Sequence, residues 1–276
     1  MSEPAEPERV LRRTGSVRDH EIDLAEAALA LGSLDRPRVS LERYRDHLSE
    51  LGERICEQGG DIADAEGAAD ILRQEIAISL GYDGDRLSYD DMQNANLLRV
   101  IDRRRGLPVS LAVIYVHAAR AAGWQVTGVN FPAHFLVRLD HGGQRTILDP
   151  FNGGRQLDAA GLRQLTKSMA GEEAELDPTH LEPVGNRDTL LRLQNNILTR
   201  DLASGRLQRA QIVLGRMLLI APERAELHRQ TALLSARLDK LSDAITAAER
   251  YAALAINDVQ RHEAAALLQE LRKRLN

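Results

Sequence analysis

The stretch "GLPVSLAVIYVHAARAAGW", residues 106–124, is the most apolar in the chain. Pro108 suits the first turn of a helix, where its missing N–H is not needed, and Gly123 suits the position just past a helix end. Apolar side chains occupy every face of the segment between them, which is typical of a helix that is buried nearly all round. The sequence therefore predicts a central helix with Ser110 close to its start.

Three short segments that follow this helix are alternating and rich in β-branched residues: "QVTGVNF", "HFLVRLD" and "QRTILDP". This pattern predicts β-strands, and Gly142-Gly143 predicts a hairpin turn between the last two. Asp149-Pro150 is expected to end the sheet. The next segment, "FNGGRQL", is expected to form a loop, because its paired glycines adopt unusual backbone angles at little steric cost.

A turn at residues 142–143 pairs His141 with Gln144 and so sets the register of the hairpin. His134 and Asp149 then become diagonal neighbours on one face, with Cα atoms roughly 7–8 Å apart. The opposite face is mainly apolar, which supports this register because a slip of one residue would drive Asp149 into the core. A carboxylate at that distance can hold an imidazole.

Helical periodicity marks both ends of the chain. From residue 19 to about residue 105, apolar residues repeat at three and four between turn clusters of Gly, Pro and Asp. Beyond about residue 187, a shift of 34 residues brings apolar positions into alignment, pairing Leu193 with Leu227, Leu207 with Leu241, Ala210 with Ala244, Leu214 with Ala248 and Met217 with Tyr251. That period is typical of tetratricopeptide repeats, although the expected aromatic and glycine positions of the first helix are missing.

The composition is that of an ordinary globular protein, with 43% apolar and 28% charged residues. A net charge of −5 argues against a broad nucleic-acid-binding surface. No segment approaches the ~20 apolar residues of a membrane span, and one cysteine, Cys56, excludes an intrachain disulfide. We therefore expect a cytoplasmic protein that contacts neither nucleic acid nor membrane, with a disordered start over residues 1–18.

The sequence gives little support for a metal or a cofactor. The eight histidines show no ligand spacing such as HxxxH or HExxH. No phosphate-binding glycine motif is present either. We expect none of these groups in the protein.

If the start of the central helix lies beside the hairpin, Ser110 meets His134 and Asp149. These are the parts of a nucleophile, base and orienter triad. Simpler interpretations stay open, because Ser110 can cap its helix and His134 can be a buried imidazole satisfied by Asp149. Asn94 or Asn96 is a candidate oxyanion donor, and a turn or helix-cap hydrogen bond is the alternative use of either side chain.

The segments "RRRGLPVSLAVIYVHAARAAGWQVTGVNFPAHFLVRL" and "ILDPFNGG" resemble the SirB1 family, a branch of the transglutaminase-like, papain-like superfamily. The resemblance covers roughly residues 20–270, including a tetratricopeptide-like end. In active members of the superfamily, a cysteine, a histidine and an aspartate form the triad. The resemblance places Ser110, His134 and Asp149 at these positions, with serine in place of the thiol. Asn130, Asn152, Gly153 and Gly154 are candidates to line the same cleft, although loop glycines more often serve only the turn.

The resemblance and the patterns together predict an α+β fold with a transglutaminase-like core. The core has a helical N-terminal part, a central buried helix and a small antiparallel sheet over residues 19–186, and an all-α tetratricopeptide-like tail follows over residues 187–276. The first functional hypothesis is a regulatory protein with a degenerate site that binds a protein or peptide through its tail. The second is an acyl-transfer hydrolase or amidase, or a protease-like enzyme, with Ser110 as nucleophile, His134 as base and Asp149 as orienter. It needs His134, because a serine hydroxyl is a weak nucleophile until a base takes its proton.

Overall fold

The computed structural model describes residues 5–275. Its helices within that range are α1 (Glu6–Ser16), α2 (Leu24–Ser33), α3 (Glu42–Gly59), α4 (Ala65–Leu72), α5 (Leu97–Arg103), α6 (Pro108–Ala121), α7 (Ala159–Ala170), α8 (Asn186–Ala203), α9 (Leu207–Ile220), α10 (Ala225–Arg237), α11 (Leu241–Leu254) and α12 (Asp258–Leu275). Its strands are β1 (Asp83–Gly84), β2 (Arg105–Gly106), β3 (Gln125–Val129), β4 (Leu136–His141), β5 (Gln144–Asp149), β6 (Arg155–Gln156) and β7 (Pro183–Val184). A π-helical segment, Arg73–Ser79, continues α4.

The described chain divides into two compact units. The larger contains Ala5–Val10 and Arg18–Leu193, and the smaller contains Leu11–Val17 and residues 194–275. The larger unit holds the whole β-sheet and the central helix, and the smaller one is helical. The fold is therefore mixed, with a small antiparallel sheet inside a helical chain.

The central helix predicted from residues 106–124 is confirmed as α6. Pro108 stands in its first turn, and Gly123 follows its end with a positive φ of 76°. Every residue of the helix from Pro108 to Val116 is buried. Helices α2 and α3 and strands β3 and β4 pack around it, which explains why all of its faces are apolar.

The five-stranded sheet has the order β6-β5-β4-β3-β7 and is antiparallel throughout. The predicted hairpin register is confirmed, since His141 pairs with Gln144 and Val137 with Leu148. Both turn glycines have positive φ angles, as a tight two-residue turn requires. The face that carries Leu136 packs on α7 and forms a core with the following residues: Val129, Phe131, Leu136, Ile147, Leu157, Leu162 and Leu165.

Two predictions about the limits of ordered structure are wrong. The sheet does not end at Asp149, because β6 forms within the expected loop and pairs with the end of β5. Disorder over residues 1–18 is wrong for Glu6–Ser16, which form α1. Acidic residues lie in the first turn of α1, a basic residue lies in its last turn, and Leu11 is fully buried. Residues 1–4 lie outside the described part of the chain.

In the smaller unit, α9 and α11 start 34 residues apart, at Leu207 and Leu241, and both span 14 residues. Four of the five pairs aligned in the sequence are buried in both copies: Leu193 and Leu227, Ala210 and Ala244, Leu214 and Ala248, and Met217 and Tyr251. Leu207 and Leu241, the first residues of α9 and α11, are partly buried. Helices α10 and α11 pack together, and α12 packs on α11. The internal repeat is therefore a repeat of helices and of buried positions.

Candidate functional site

Ser110 is the third residue of α6, and the residue before the helix, Leu107, occupies the capping position. The Ser110 hydroxyl donates to the backbone oxygens of Asn94, at 2.7 Å, and Leu107, at 3.0 Å. Its side chain is 0% exposed. The helix-cap interpretation is therefore wrong, because the hydroxyl donates to carbonyl groups instead of accepting from helix N–H groups.

Gly106 leaves the space that this arrangement needs. A Cβ atom at residue 106 would lie 2.6 Å from the Ser110 Oγ. Gly106 is also the last residue of β2, where it pairs in parallel with Gly84 of β1. The start of α6 is thus packed against backbone on this side, and the hydroxyl is enclosed.

His134 lies in a tight turn just before β4, not in the strand itself. Its backbone N–H donates to the Phe131 oxygen at 3.0 Å, and Ala133 within the turn has a φ of 53°, an uncommon value for a residue with a Cβ atom. The turn directs the imidazole at Asp149, the last residue of β5. The His134 Nε2 lies 2.9 Å from the Asp149 Oδ1. His134 is 4% exposed and Asp149 is 0% exposed.

The Asp149 carboxylate has further hydrogen-bond partners in the turn that follows it. Asn152 donates its backbone N–H to Oδ1 at 3.2 Å and its side-chain amide to Oδ2 at 2.6 Å. The Arg155 Nε lies 3.9 Å from Oδ2. Burial by itself raises the pKa of Asp149, but hydrogen bonds from His134 and Asn152 outweigh it and leave that pKa below its ordinary value. The pair is therefore a buried, ionised carboxylate that holds an imidazole.

The structure brings two of the three predicted residues together. No hydrogen bond joins Ser110 to either His134 or Asp149 within residues 5–275. Cavities of about 550, 500 and 400 Å³ in the described chain are lined by other residues. The catalytic role of the three residues stays a prediction. For Ser110 it requires a change of side-chain orientation, because its hydroxyl donates to backbone oxygens and not to His134.

The other candidate residues have mainly local contacts. Asn96 caps α5 by accepting from the Arg99 N–H at 3.3 Å, and its amide donates to the Gly32 oxygen at 2.9 Å. It is buried among these partners, which makes it a helix cap instead of an oxyanion donor. Asn130 is exposed at the end of β3, beside the turn that holds His134.

Gly153 and Gly154 both have positive φ angles, of 66° and 68°, which favour glycine. The Gly154 N–H donates to the Asp149 backbone oxygen at 2.9 Å, so this N–H has a partner already. A Cβ atom at residue 154 would overlap the hydroxyl of Tyr115, a buried residue of α6. The two glycines therefore shape the turn behind Asp149.

Sequence reasoning missed the residues around Phe151. The Phe151 ring lies edge-to-face against His134, with ring centroids 5.9 Å apart. Arg86 and Tyr89 contact Phe151 from a turn that lies more than sixty residues earlier in the chain. The stretch "GYDGDRLSYDD" signals only a turn in the sequence, so these contacts could not be found from it.

A metal centre is not evident in the described range, where no group of three or more His, Cys, Asp and Glu side chains could hold an ion. Likewise, no helix between residues 5 and 275 is long and apolar enough to cross a membrane.

The buried helix, the antiparallel sheet and the His134–Asp149 pair together define a transglutaminase-like domain. The family model described as the transglutaminase-like superfamily matches residues 42–195. A UPF0162 protein of Xylella fastidiosa (strain Temecula1) is 32% identical over 239 residues, which cover 86% of this chain and 85% of that protein. The chain therefore belongs to the transglutaminase-like superfamily and to the UPF0162 proteins.

More distant similarities extend this comparison. A UPF0162 protein of Vibrio cholerae is 32% identical over 170 residues, covering 60% of this chain and 61% of that one. Human F-box only protein 21 is 34% identical over 83 residues, which cover 30% of this chain and 13% of the F-box protein. The crystal structure of menin, described as revealing a binding site for the Mixed Lineage Leukemia protein, aligns with 96% of this chain and 74% of menin at 12% identity and a TM-score of 0.41.

Proposed function

We propose that this chain is a SirB1-like regulatory protein that binds a protein or peptide partner and has little or no catalytic activity at its transglutaminase-like site. The proposal is carried by one observation, the Ser110 hydroxyl that is enclosed and donates to two backbone carbonyls. A serine nucleophile needs a base that takes its proton, and a backbone carbonyl cannot do so. Attack would require Ser110 to break both hydrogen bonds and to turn toward His134.

The His134–Asp149 pair has a structural role that needs no chemistry. Buried polar groups are stable only when they are hydrogen-bonded, and these two side chains satisfy each other. Asp149 also holds the following turn through Asn152. The pair thus joins the turn before β4 to the turn after β5 and keeps the end of the sheet in place.

The partner-binding part of the proposal rests on the helical tail. Stacked helix-turn-helix repeats form extended surfaces that bind peptides, and the 34-residue repeat of α9 and α11 has the period of tetratricopeptide arrays. A net charge of −5 favours a protein partner over nucleic acid. We expect the partner to lie along the first helices of the repeats, α8 and α10.

A fluorophosphonate, which labels activated serines, tests the catalytic half of this proposal. We expect the intact protein to show no label at Ser110 by peptide mass spectrometry, and the Ser110→Ala variant to give the same result. Label at Ser110 that disappears in His134→Ala would overturn the proposal, since it requires a working base. An active serine hydrolase in the same reaction verifies the reagent.

A second function, acyl transfer by a hydrolase or amidase, is favoured by one detail of the pair. Asp149 occupies the Nε2 of His134 and leaves Nδ1 for another group. In this hypothesis Ser110 is the nucleophile, His134 the base and Asp149 the orienter, and a backbone N–H at the start of α6 stabilises the oxyanion. The fluorophosphonate result that overturns the first proposal supports this one.

A further inference from the structure

Phe151 covers the His134 imidazole. The two rings meet edge-to-face at 90°, with centroids 5.9 Å apart. His134 is almost fully buried, whereas Phe151 is partly exposed at the surface. The buried imidazole therefore contacts a ring that itself reaches the surface.

Arg86 holds Phe151 by its ring and by its backbone. The guanidinium carbon lies 5.2 Å from the centre of the ring. The same guanidinium donates to the Phe151 backbone oxygen at 3.0 Å and to the Asn152 Oδ1 at 2.9 Å. It also pairs with Asp83 at 2.8 Å. Arg86 thus fixes both the ring and the turn that hydrogen-bonds to Asp149.

Tyr89 contacts the ring as well. Its own ring lies edge-to-face against Phe151, with centroids 5.7 Å apart and an interplanar angle of 78°. Gly84 lies close to Phe151, where a Cβ atom would come within 2.5 Å of the phenyl ring. The segment that carries Gly84, Arg86 and Tyr89 therefore contacts Phe151 along its length.

The turn that carries Arg86 and Tyr89 has several hydrogen bonds of its own. Asp85 accepts from the Ser88 N–H at 2.9 Å, from the Ser88 hydroxyl at 2.7 Å and from Arg103 at 2.6 Å. The Asn94 amide donates to the Ser88 backbone oxygen at 2.6 Å. These part-buried hydrogen bonds join the turn to Arg103 and Asn94, and the turn places Arg86 and Tyr89 next to Phe151.

We propose that Arg86 and Tyr89 act as a latch that keeps Phe151 closed over His134 and controls access to the His134–Asp149 pair. The Arg86 side chain is 50% exposed and Tyr89 is 39% exposed. Contacts made at the surface are weaker than buried ones and can be exchanged for contacts with a partner. The inference goes beyond the proposed function, because it concerns how reagents reach the pair whether or not the pair takes part in chemistry.

Modification of histidines by diethyl pyrocarbonate, followed at neutral pH by peptide mass spectrometry of the full chain, tests the latch. His20 and His262 are exposed and serve as internal references, and His117 is a partly buried reference on α6. In the unaltered protein we expect His134 to react more slowly than both exposed histidines. Arg86→Ala removes the hydrogen bonds and the stacked cation, and we expect it to speed the reaction of His134 about tenfold.

Leu87 offers a matched control in the same turn. Its side chain is fully exposed, so Leu87→Ala removes no packing and should leave the His134 rate unchanged. Tyr89→Ala tests the second contact and should give a smaller increase. Arg86→Lys keeps the positive charge but loses the planar group that donates to both Phe151 and Asn152. Its His134 reaction rate should lie between those of Arg86→Ala and the unaltered protein.

An unchanged His134 rate in both Arg86→Ala and Tyr89→Ala would overturn the latch. A rise at His117 equal to that at His134 would also overturn it, since the variant would then have loosened the whole unit. The fluorophosphonate experiment reports on Ser110 instead of on His134 exposure. The proposed function and the latch can therefore fail separately.

Discussion

The Ser110 hydroxyl and the backbone oxygen of Asn94 are joined by a hydrogen bond of 2.7 Å that ties the start of α6 to the turn before α5. Both acceptors of this hydroxyl have other donors, since Leu107 N–H also donates to Asn94 and Leu111 N–H to Leu107. Ser110→Ala therefore orphans no buried acceptor. We expect it to lower the free energy of unfolding by about 1 kcal/mol, measured by urea denaturation. A loss above about 3 kcal/mol would show that the hydroxyl stabilises the fold by more than its hydrogen bonds to Asn94 and Leu107 explain.

Ser110→Cys tests whether the position is accessible. The position is enclosed, whereas the native Cys56 is exposed. We expect iodoacetamide to alkylate Cys56 first and the introduced thiol much more slowly, because reactivity needs exposure as well as an ionised thiolate. Peptide mass spectrometry over time separates the two rates. Faster alkylation at position 110 would favour the hydrolase hypothesis, since it requires a thiolate activated by His134.

Asp149→Asn should destabilise the protein at neutral pH. The Asn152 amide donates to the Asp149 Oδ2 at 2.6 Å, and an amide nitrogen placed there would face a second donor. We expect a loss of about 1–3 kcal/mol at pH 7 in the free energy of unfolding.

The loss should shrink in acid. The folded pKa of Asp149 lies below its ordinary value, so its stabilising effect is present above the unfolded pKa of about 4 and disappears as the pH falls through the folded pKa. Urea titrations of both proteins at several pH values measure the difference. A difference between variant and unaltered protein that stays constant down to pH 3 would contradict an ionised Asp149 in the native state.

We expect His47 to make the free energy of unfolding depend on pH in a range above that of Asp149. Burial lowers its pKa to about 4, and the positive charges of Arg104 and Arg54 act in the same direction. Above the ordinary value of 6.5 the imidazole is neutral in both the folded and the unfolded state. As the pH falls from 6.5 toward 4, the unfolded state binds the proton first, and the folded state loses stability. Because His47 is only half-buried, we expect about 1–2 kcal/mol.

His47→Gln removes this group, and its unfolding free energy should change less than that of the unaltered protein between pH 6.5 and 4. The His47 Nε2 lies 2.8 Å from the Tyr82 hydroxyl, and glutamine can replace this hydrogen bond. Equal pH slopes for the two proteins would exclude His47 as the source. The Asp149 effect lies at lower pH, so one titration series separates both groups.

The register of the hairpin could be predicted because local rules govern it. Alternation and the Gly142-Gly143 turn fix which residues pair, and that register brings His134 near Asp149. The orientation of Ser110 could not be predicted, since its acceptor at Asn94 lies sixteen residues earlier. Pro108 could have excluded Ser110 as the helix cap, because a proline at the first helical position places the cap at Leu107.

Contacts between segments that are distant in the chain cannot be predicted from the periodicity of the sequence. Arg86 reaches Asn152 across 66 residues, and nothing in the pattern of either segment signals the other. The start of the chain shows a related limit, because α1 has few apolar residues and is recognisable only once Leu11 is seen to be buried. Periodicity identifies helices and strands, but not which polar side chains meet between them.

Tyr115 and Gly154 give a prediction about packing behind the site. The Tyr115 hydroxyl is buried and has no hydrogen-bond partner within residues 5–275. Tyr115→Phe should therefore be neutral or raise the free energy of unfolding by about 1 kcal/mol, because an unpaired buried hydroxyl is unfavourable. Gly154→Ala should destabilise the protein, since the new Cβ would meet that hydroxyl and the backbone has a positive φ.

The double variant measures the coupling between these two positions. With the hydroxyl removed, Gly154→Ala should lose less stability than it does alone, so the two effects should not add. Chemical denaturation of the four proteins gives the coupling energy. Strict additivity would mean that the backbone angle alone makes glycine necessary at this position.

The helical tail supplies the last prediction, which compares two exposed apolar residues. Leu233 on α10 is 40% exposed, and Ile212 on α9 is 57% exposed. If a partner lies along the first helices of the repeats, Leu233→Glu should weaken its binding at least tenfold, whereas Ile212→Glu on a second helix should leave the affinity unchanged. Calorimetric titration with a purified partner gives both dissociation constants. Equal weakening by both substitutions, or by Ile212→Glu alone, would contradict the proposed binding surface, because each variant places the same charge on a different helix.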